Sequence, residues 1–296
     1  MAFENWGVPV TLGERRVLHP GPLRWLRALG WMLVLFVVAA VPAGLAISGV
    51  DALLPDTGPI EVLSNAVGAV VCLGLYALVV WGGEARRADE LKLSAAPLEL
   101  AIGLAIGVAM FASVMAIMAV FGLYDIVWKG LAPAWRAVAL SIQSGVMEEV
   151  LLRLVILRLV WRAFGPWVAF AVSAALFGGL HLANPNASVF AALCIAIEAG
   201  IMLGAFYALT GRLWVSIGVH AAWNFTQGYL FGAAVSGTSF GPSIATSTAR
   251  PGFADILTGG PFGPEASLPG LLVGTGVGVV VMVMAWKAGR FRREAS

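Results

Sequence analysis

Residues Leu98–Tyr124 read LELAIGLAIGVAMFASVMAIMAVFGLY, an apolar run in which Glu99 is the only charged side chain. A helix needs about 20 such residues to cross the hydrocarbon core of a bilayer. No water is available there to satisfy backbone N–H and C=O groups, so an isolated run of this length must be helical. Seven further runs surround it: Leu29–Gly49, Val62–Gly82, Pro133–Val160, Trp167–Ala183, Val189–Leu209, Leu213–Val235 and Leu268–Trp286. They predict an all-α, polytopic transmembrane helix bundle of about eight spans. The weak alternation of an outer-membrane barrel is absent.

Composition agrees with that reading. Charged residues make up 11 % of the 296-residue chain, against about 25 % in a typical soluble domain. Hydrophobic residues reach 60 % and mean hydropathy is +0.90. So few charges cannot cover a soluble globule. A disordered chain, a coiled coil, a nucleic-acid binder and an ordinary cytosolic enzyme are excluded. Cys72 and Cys194 both lie inside apolar runs and read as small packing residues rather than a disulfide. The first apolar run is of spanning length and follows a mixed, polar stretch, which does not suit a cleavable signal peptide.

Basic residues give an orientation. Arg15, Arg16, Arg24 and Arg27 precede the first run, and Arg86, Arg87 and Lys92 follow the second. Arg158 and Arg162 close the fourth, Arg212 the sixth, and Lys287, Arg290, Arg292 and Arg293 the eighth. With simple alternation all of these fall on one side, which predicts cytoplasmic termini and an even number of spans in a cell membrane, plasma or inner. Residues 1–28 then form a cytoplasmic tail, with a solvated His19, and 29–296 a single membrane domain. Within that domain, 236–269 is a Gly-, Pro- and Ser-rich loop facing outward, of irregular or flexible composition. No internal repeat of the kind used by transporters is evident.

Ionisable groups inside spans are costly and mark function by default. Here they are Glu148, Glu149, Arg153, His181, Glu198 and His220, joined by the amide Asn224. Glu149 and Arg153 are four apart, share a helix face and can pair. Glu148, rotated by about 100°, points elsewhere. The alternative is a buried ion network that only holds helices together. His181 follows Phe177 by one turn, with Gly178 and Gly179 between them allowing close approach. His220 and Asn224 also share a face, and two adjacent donors are what an oxyanion requires; an interhelical polar clasp is the structural alternative. Glu198 sits on a helix whose small residues Ala196, Gly200, Gly204 and Ala208 form a packing face. It could support Arg153 or a histidine.

Three motifs stand in order: Glu148-Glu149-x-x-x-Arg153, Phe177-x-x-x-His181 and His220-x-x-x-Asn224. Together they resemble the signature of the CAAX protease and bacteriocin-processing family, also called ABI or type II CAAX prenyl endopeptidases. The resemblance covers 132–235, which would be the protease-like core. It is strengthened by Thr210-Gly211-Arg212-Leu213-Trp214, which is similar to bacterial members. It implies an intramembrane glutamic peptidase. Glu148 would be the general base, acting with His181 on a water, while His220 and Asn224 would stabilise the oxyanion. Glu149, Arg153, Phe177 and Glu198 would be supporting residues. No cofactor is implied.

Other readings use the same residues. Two histidines and a glutamate also form a catalytic zinc set, although no His-Glu-x-x-His lies on one helix and Asn224 suits an oxyanion better than a metal. A non-catalytic bacteriocin-immunity or peptide-binding protein would use these residues to bind, and a proton-coupled transporter would use them as a relay. For a peptidase the partners are the membrane and a peptide or protein substrate, lipidated substrates included, with cleavage expected near the cytoplasmic side. The depths conflict, however. Glu148 lies about 15 Å from Arg158, His220 about 12 Å from Arg212 and His181 about 24 Å from Gly165 at 1.5 Å per residue. One site then requires a tilted fifth helix or one that starts below the surface.

Overall fold

A computed structural model describes residues 6–291. Arg292 and Arg293, used above for orientation, lie outside the described residues. The chain is a helical bundle. Six of its helices are long and apolar enough to cross a membrane: α1 (Arg24–Leu53), α2 (Gly58–Glu84), α3 (Ala96–Val120), α5 (Pro166–Ala183), α6 (Val189–Thr210) and α9 (Leu268–Lys287).

The fourth and seventh expected spans are helical too, but differ in kind. Helix α4 (135–164) runs on through two π-helical stretches, Ser144–Glu148 and Val150–Leu157, before ending as Arg158–Phe164. It carries Glu148, Glu149 and Arg153 in its middle, too many charges for an apolar span. Helix α7 is shorter, an α-helical stretch Trp214–Phe225 followed by a π-helical one, Thr226–Leu230. Glu148, Glu149, Arg153, His220 and Asn224 thus sit on the two helices that depart from simple spanning helices. Helix α6 is π-helical over Ala196–Ile201, around Glu198. Single π turns inside α-helices are frequent at functional sites.

Local sequence explains most boundaries. Proline opens α2, α3, α5 and α9, where its missing N–H costs nothing. Ser188 and Ser267 cap α6 and α9 by accepting from the N–H of Ala191 and Gly270. Gly165, at φ 91°, makes the tight turn between α4 and α5.

Close packing replaces the hydrophobic effect between membrane helices, so small residues set the contacts. Ala196, Gly200 and Gly204 of α6 meet Gly178, Ala174 and Phe170 of α5, as the small-residue repeat suggested. On the other side Gly103 and Gly107 of α3 lie against the backbone of Val215 and Val219 in α7. Cys72 and Cys194 are buried free thiols.

Both connecting regions are built into the fold. In the tail, Val8 donates its N–H to the Thr210 carbonyl at 2.9 Å, and Val10 and Leu18 are buried. His19 is exposed. In the 236–269 segment, strand β2 (Ala245–Ala249) pairs antiparallel with β1 (Tyr124–Trp128), Ile126 opposite Ser247. The segment then forms a short helix α8 (Asp255–Thr258) and a turn, Pro264–Ala266, that leads into α9.

One charge lies elsewhere than expected. Arg158 does not end its helix at a surface. It is fully buried and donates to both carboxylate oxygens of Glu84, at 2.9 and 2.7 Å. Arg86 and Glu90 continue this cluster, with Glu90 also accepting from the Tyr76 hydroxyl at 2.5 Å. Burial alone would raise the Glu90 carboxyl, but the Arg86 fork holds it below the ordinary value. The cluster ties α2 to α4 at the basic end of the bundle.

Candidate active site

Glu149 is the centre of the polar core. It is wholly buried and accepts from Arg153 Nε at 3.0 Å, the pairing that the four-residue spacing suggested. Its other oxygen is 3.0 Å from His220 Nδ1, across two helices. Arg153 is satisfied as well, donating to the Ser173 hydroxyl and the Ala199 carbonyl. Pairing of this kind offsets the desolvation cost of a buried charge. The spacing did not reveal the Glu149–His220 bond, since the two residues are 71 positions apart.

His220 is therefore bound on one side and open on the other. Its Nδ1–H donates to Glu149, so Nε2 faces the cavity, 3.9 Å from Glu148 Oε2. Unlike its neighbour, Glu148 keeps 38 % of its side chain accessible. The two adjacent carboxylates thus have different surroundings, one locked and one free, as the 100° rotation between them requires.

His181 begins the 3₁₀ turn His181–Ala183 at the end of α5. Its Nδ1–H donates to the Phe177 carbonyl at 2.8 Å, which leaves Nε2 free. The Phe177 ring stands edge-on to both imidazoles, with centroids 4.9 Å from His181 and 6.0 Å from His220. The Arg153 guanidinium lies 5.1 Å over the same ring. Phe177 is thus the spacer that fixes the two histidines relative to each other. Asn224 donates through Nδ2 to the Ser144 hydroxyl at 2.9 Å, and Ser144 in turn donates to the Leu140 carbonyl.

Glu148, His181, His220, Asn224, Phe177 and Glu198 all line one cavity of about 190 Å³. Glu198 does not support Arg153 or a histidine. The donors of Arg153 are taken by Glu149, Ser173 and Ala199, and Oε2 of Glu198 is buried with no partner. Among the described residues no three His, Cys, Asp or Glu side chains converge closely enough to hold a metal ion.

The conflict of depths disappears once the true helix ends are known. Helix α4 continues past Arg158 to Phe164. Glu148 precedes that end by 16 residues and His181 follows Gly165 by 16, so the two groups stand at the same residue count along the two arms. The Arg212 turn is recessed rather than superficial. Thr210 and Leu213 are fully buried, and the tail residues Val8 and Pro9 cover Gly211.

The cavity is roofed by residues that the spans did not reveal. Ser236, Thr238, Phe240 and Glu265 line it from the segment between α7 and α9. That segment joins the helix ends opposite the basic cluster, so the site lies away from the basic end. Only the charge of Glu265 in a Gly- and Pro-rich segment could have drawn attention to it.

The architecture and the site define a multi-pass helical membrane protein with a carboxylate–imidazole cavity among its central helices. Residues 128–226, about a third of the chain, match the family described as type II CAAX prenyl endopeptidase Rce1-like. The match encloses all three motifs and supports the resemblance to the CAAX protease and bacteriocin-processing family. No curated protein and no solved structure matches the chain.

Proposed function

We propose that the chain is a CAAX-protease-like intramembrane endopeptidase that hydrolyses a peptide bond by glutamate-assisted attack of water. One observation carries the reading. Glu148 and His220 face each other at 3.9 Å in a cavity that His181 and Asn224 also line, while Glu149 and Arg153 are consumed by each other and by His220.

A water between Glu148 and His181 gives a proton to the Glu148 carboxylate as its oxygen attacks the substrate carbonyl carbon. The carbonyl oxygen becomes an oxyanion. The second Asn224 N–H and a protonated His220 Nε2 donate to it. Glu148 then passes its proton to the leaving amine as the C–N bond breaks. Glu149 orients the His220 ring through Nδ1, and Arg153 compensates Glu149. No metal or other cofactor is assigned in this scheme; a zinc-dependent alternative would need Glu148, His181 and His220 to draw closer together than they stand. The substrate class is a peptide or protein segment, lipidated ones included, reached within the membrane. We place the protein in the cell membrane with both termini cytoplasmic; reporters fused at the C-terminus and near Thr248 should then read opposite sides.

The test is purified full-length protein in lipid nanodiscs with a quenched peptide library, wild type beside Glu148→Gln. Cleavage by wild type that the variant loses and a chelator leaves intact supports the reading. Chelator-sensitive cleavage that zinc restores replaces it with the metal-dependent alternative. Absence of cleavage, with peptide binding retained, replaces it with a peptide-binding or immunity function.

A further inference from the structure

The scheme above leaves two buried carboxyl groups in the cavity unused. Glu198 comes from the π-helical turn of α6 and is 1 % exposed. Its Oε2 is buried with no hydrogen-bond partner. Glu265 comes from the roof, 2 % exposed, and is held rigidly by Ser236, whose N–H and hydroxyl both donate to Oε1, at 2.5 and 2.8 Å. Both groups line the cavity that holds Glu148 and His220. Among the described residues neither forms an ion pair with a lysine or arginine, and the fully buried Arg153 is engaged by Glu149. Ser236 is the hydrogen-bond partner of Glu265, and Glu198 and His181 line the same cavity.

Two carboxyl groups line one cavity, Glu265 held by Ser236 and Glu198 with an orphan oxygen, and among the described residues no lysine or arginine engages either of them. We propose that Glu198 and Glu265 form a cation subsite that receives a protonated amine or guanidinium of the substrate peptide. The assignment to a substrate rests on the peptidase reading; the cation site itself does not. An ammonium carries three donors and no acceptor, so it can engage the orphan oxygen of Glu198 and an oxygen of Glu265 together. Charge-assisted bonds of this kind are about twice as strong as neutral ones. The Glu198–Glu265 wall lines the same cavity as Glu148 and His220. A basic side chain seated there would hold its own backbone close to the reacting water, so the pair would set sequence preference. Rejection of a neutral isostere follows because the buried acceptors would be left unpaired.

Two measurements on the full-length protein in nanodiscs test this. The first needs no catalysis: thermal unfolding with n-hexylammonium or with n-hexanol, a neutral probe of the same length. The ammonium should raise the unfolding temperature saturably in wild type and the alcohol should not. Glu198→Gln or Glu265→Gln should weaken the ammonium effect by roughly 10–100-fold in concentration, as expected for one lost charge-assisted bond. Glu265→Asp, which keeps the charge, should keep most of it. The second compares quenched peptides that carry lysine or norleucine at each position in turn. One position should prefer lysine by about 10–100-fold in kcat/KM, and Glu198→Gln should erase the preference while norleucine peptides are still cut. Equal response of wild type to the ammonium and the alcohol overturns the subsite and leaves the pair sharing a proton. Ammonium binding without cleavage of any peptide leaves the subsite standing and removes the peptidase reading.

Discussion

His220 Nδ1 and Glu149 Oε1 are joined by a 3.0 Å hydrogen bond across α7 and α4. The bond fixes the ring so that Nε2 faces the cavity. Glu149 therefore acts twice, once as the counter-ion of Arg153 and once as the orienter of the imidazole. Glu149→Gln should lower folded yield, since breaking a buried pair costs about 3–5 kcal/mol. In the fraction that folds it should also lower kcat, because an amide can present either its oxygen or its N–H to Nδ1. Yield by size-exclusion chromatography and kcat per folded molecule separate the two effects.

Glu148→Gln has a simpler expectation. Glu148 is half-open and stands 3.9 Å from His220 without a hydrogen bond to it, so its amide isostere should fold normally. Turnover should fall by about 10²–10⁴-fold, the range of general-base assistance. Full activity in this variant would remove Glu148 as the base.

Asn224→Ala removes one proposed oxyanion donor and should lower kcat by about 10²–10³-fold with KM little changed. Ser144→Ala removes only the hydroxyl that receives the Asn224 amide at 2.9 Å. Its loss of rate should be smaller and should also appear in kcat. A Ser144→Ala effect confined to KM would contradict this positioning.

Gly178 and Gly179 offer a matched pair. A Cβ at Gly178 would collide with the Ala192 carbonyl and stand 2.8 Å from Ala196 Cβ, whereas one at Gly179 would meet nothing within 4 Å. Gly178→Ala should destabilise the protein by about 1–3 kcal/mol through overpacking and spread α5 from α6, which carry His181 and Glu198. Gly179→Ala should be neutral. Thermal unfolding of both variants, with activity measured on each, checks the contrast.

The Glu90 carboxyl is held below its ordinary value of 4.5 by Arg86, against burial. Below about pH 4.5 the unfolded chain therefore binds a proton before the folded one does, and stability is lost as pH falls through that window. Glu90→Gln should be less stable than wild type at pH 7 and should show a flatter decline between about pH 5 and 3. Unfolding temperatures of both proteins across this range decide it. Equal slopes would show that Glu90 does not carry the effect.

The three motifs were legible because helical spacing of four converts directly into shared faces: Glu149 with Arg153, Phe177 with His181, His220 with Asn224. The packing face of α6 was legible for the same reason. What escaped reading depends on partners far apart in the chain. Arg158 looked like the end of a helix because arginine at the edge of an apolar run usually marks the membrane surface. Its neutralising partner, Glu84, lies 74 positions away. Nothing periodic marks 236–269, so neither its pairing with β1 nor the placement of Glu265 over the cavity could be read. The π-helical turns were equally hidden, since apolar residues of the same kinds continue through them.

The turn at Gly165 has a further consequence. Glu148 and His181 stand at matched residue counts along its two arms, so the hairpin works as a ruler whose graduations must agree. One helical turn inserted into a single arm would displace one group from the other by about 5.4 Å, more than the gap between Glu148 and His220. Divergent sequences built on this site should therefore gain or lose residues between the first and second motifs in balanced pairs. Unmatched length changes should collect outside 148–181, where they leave the ruler untouched.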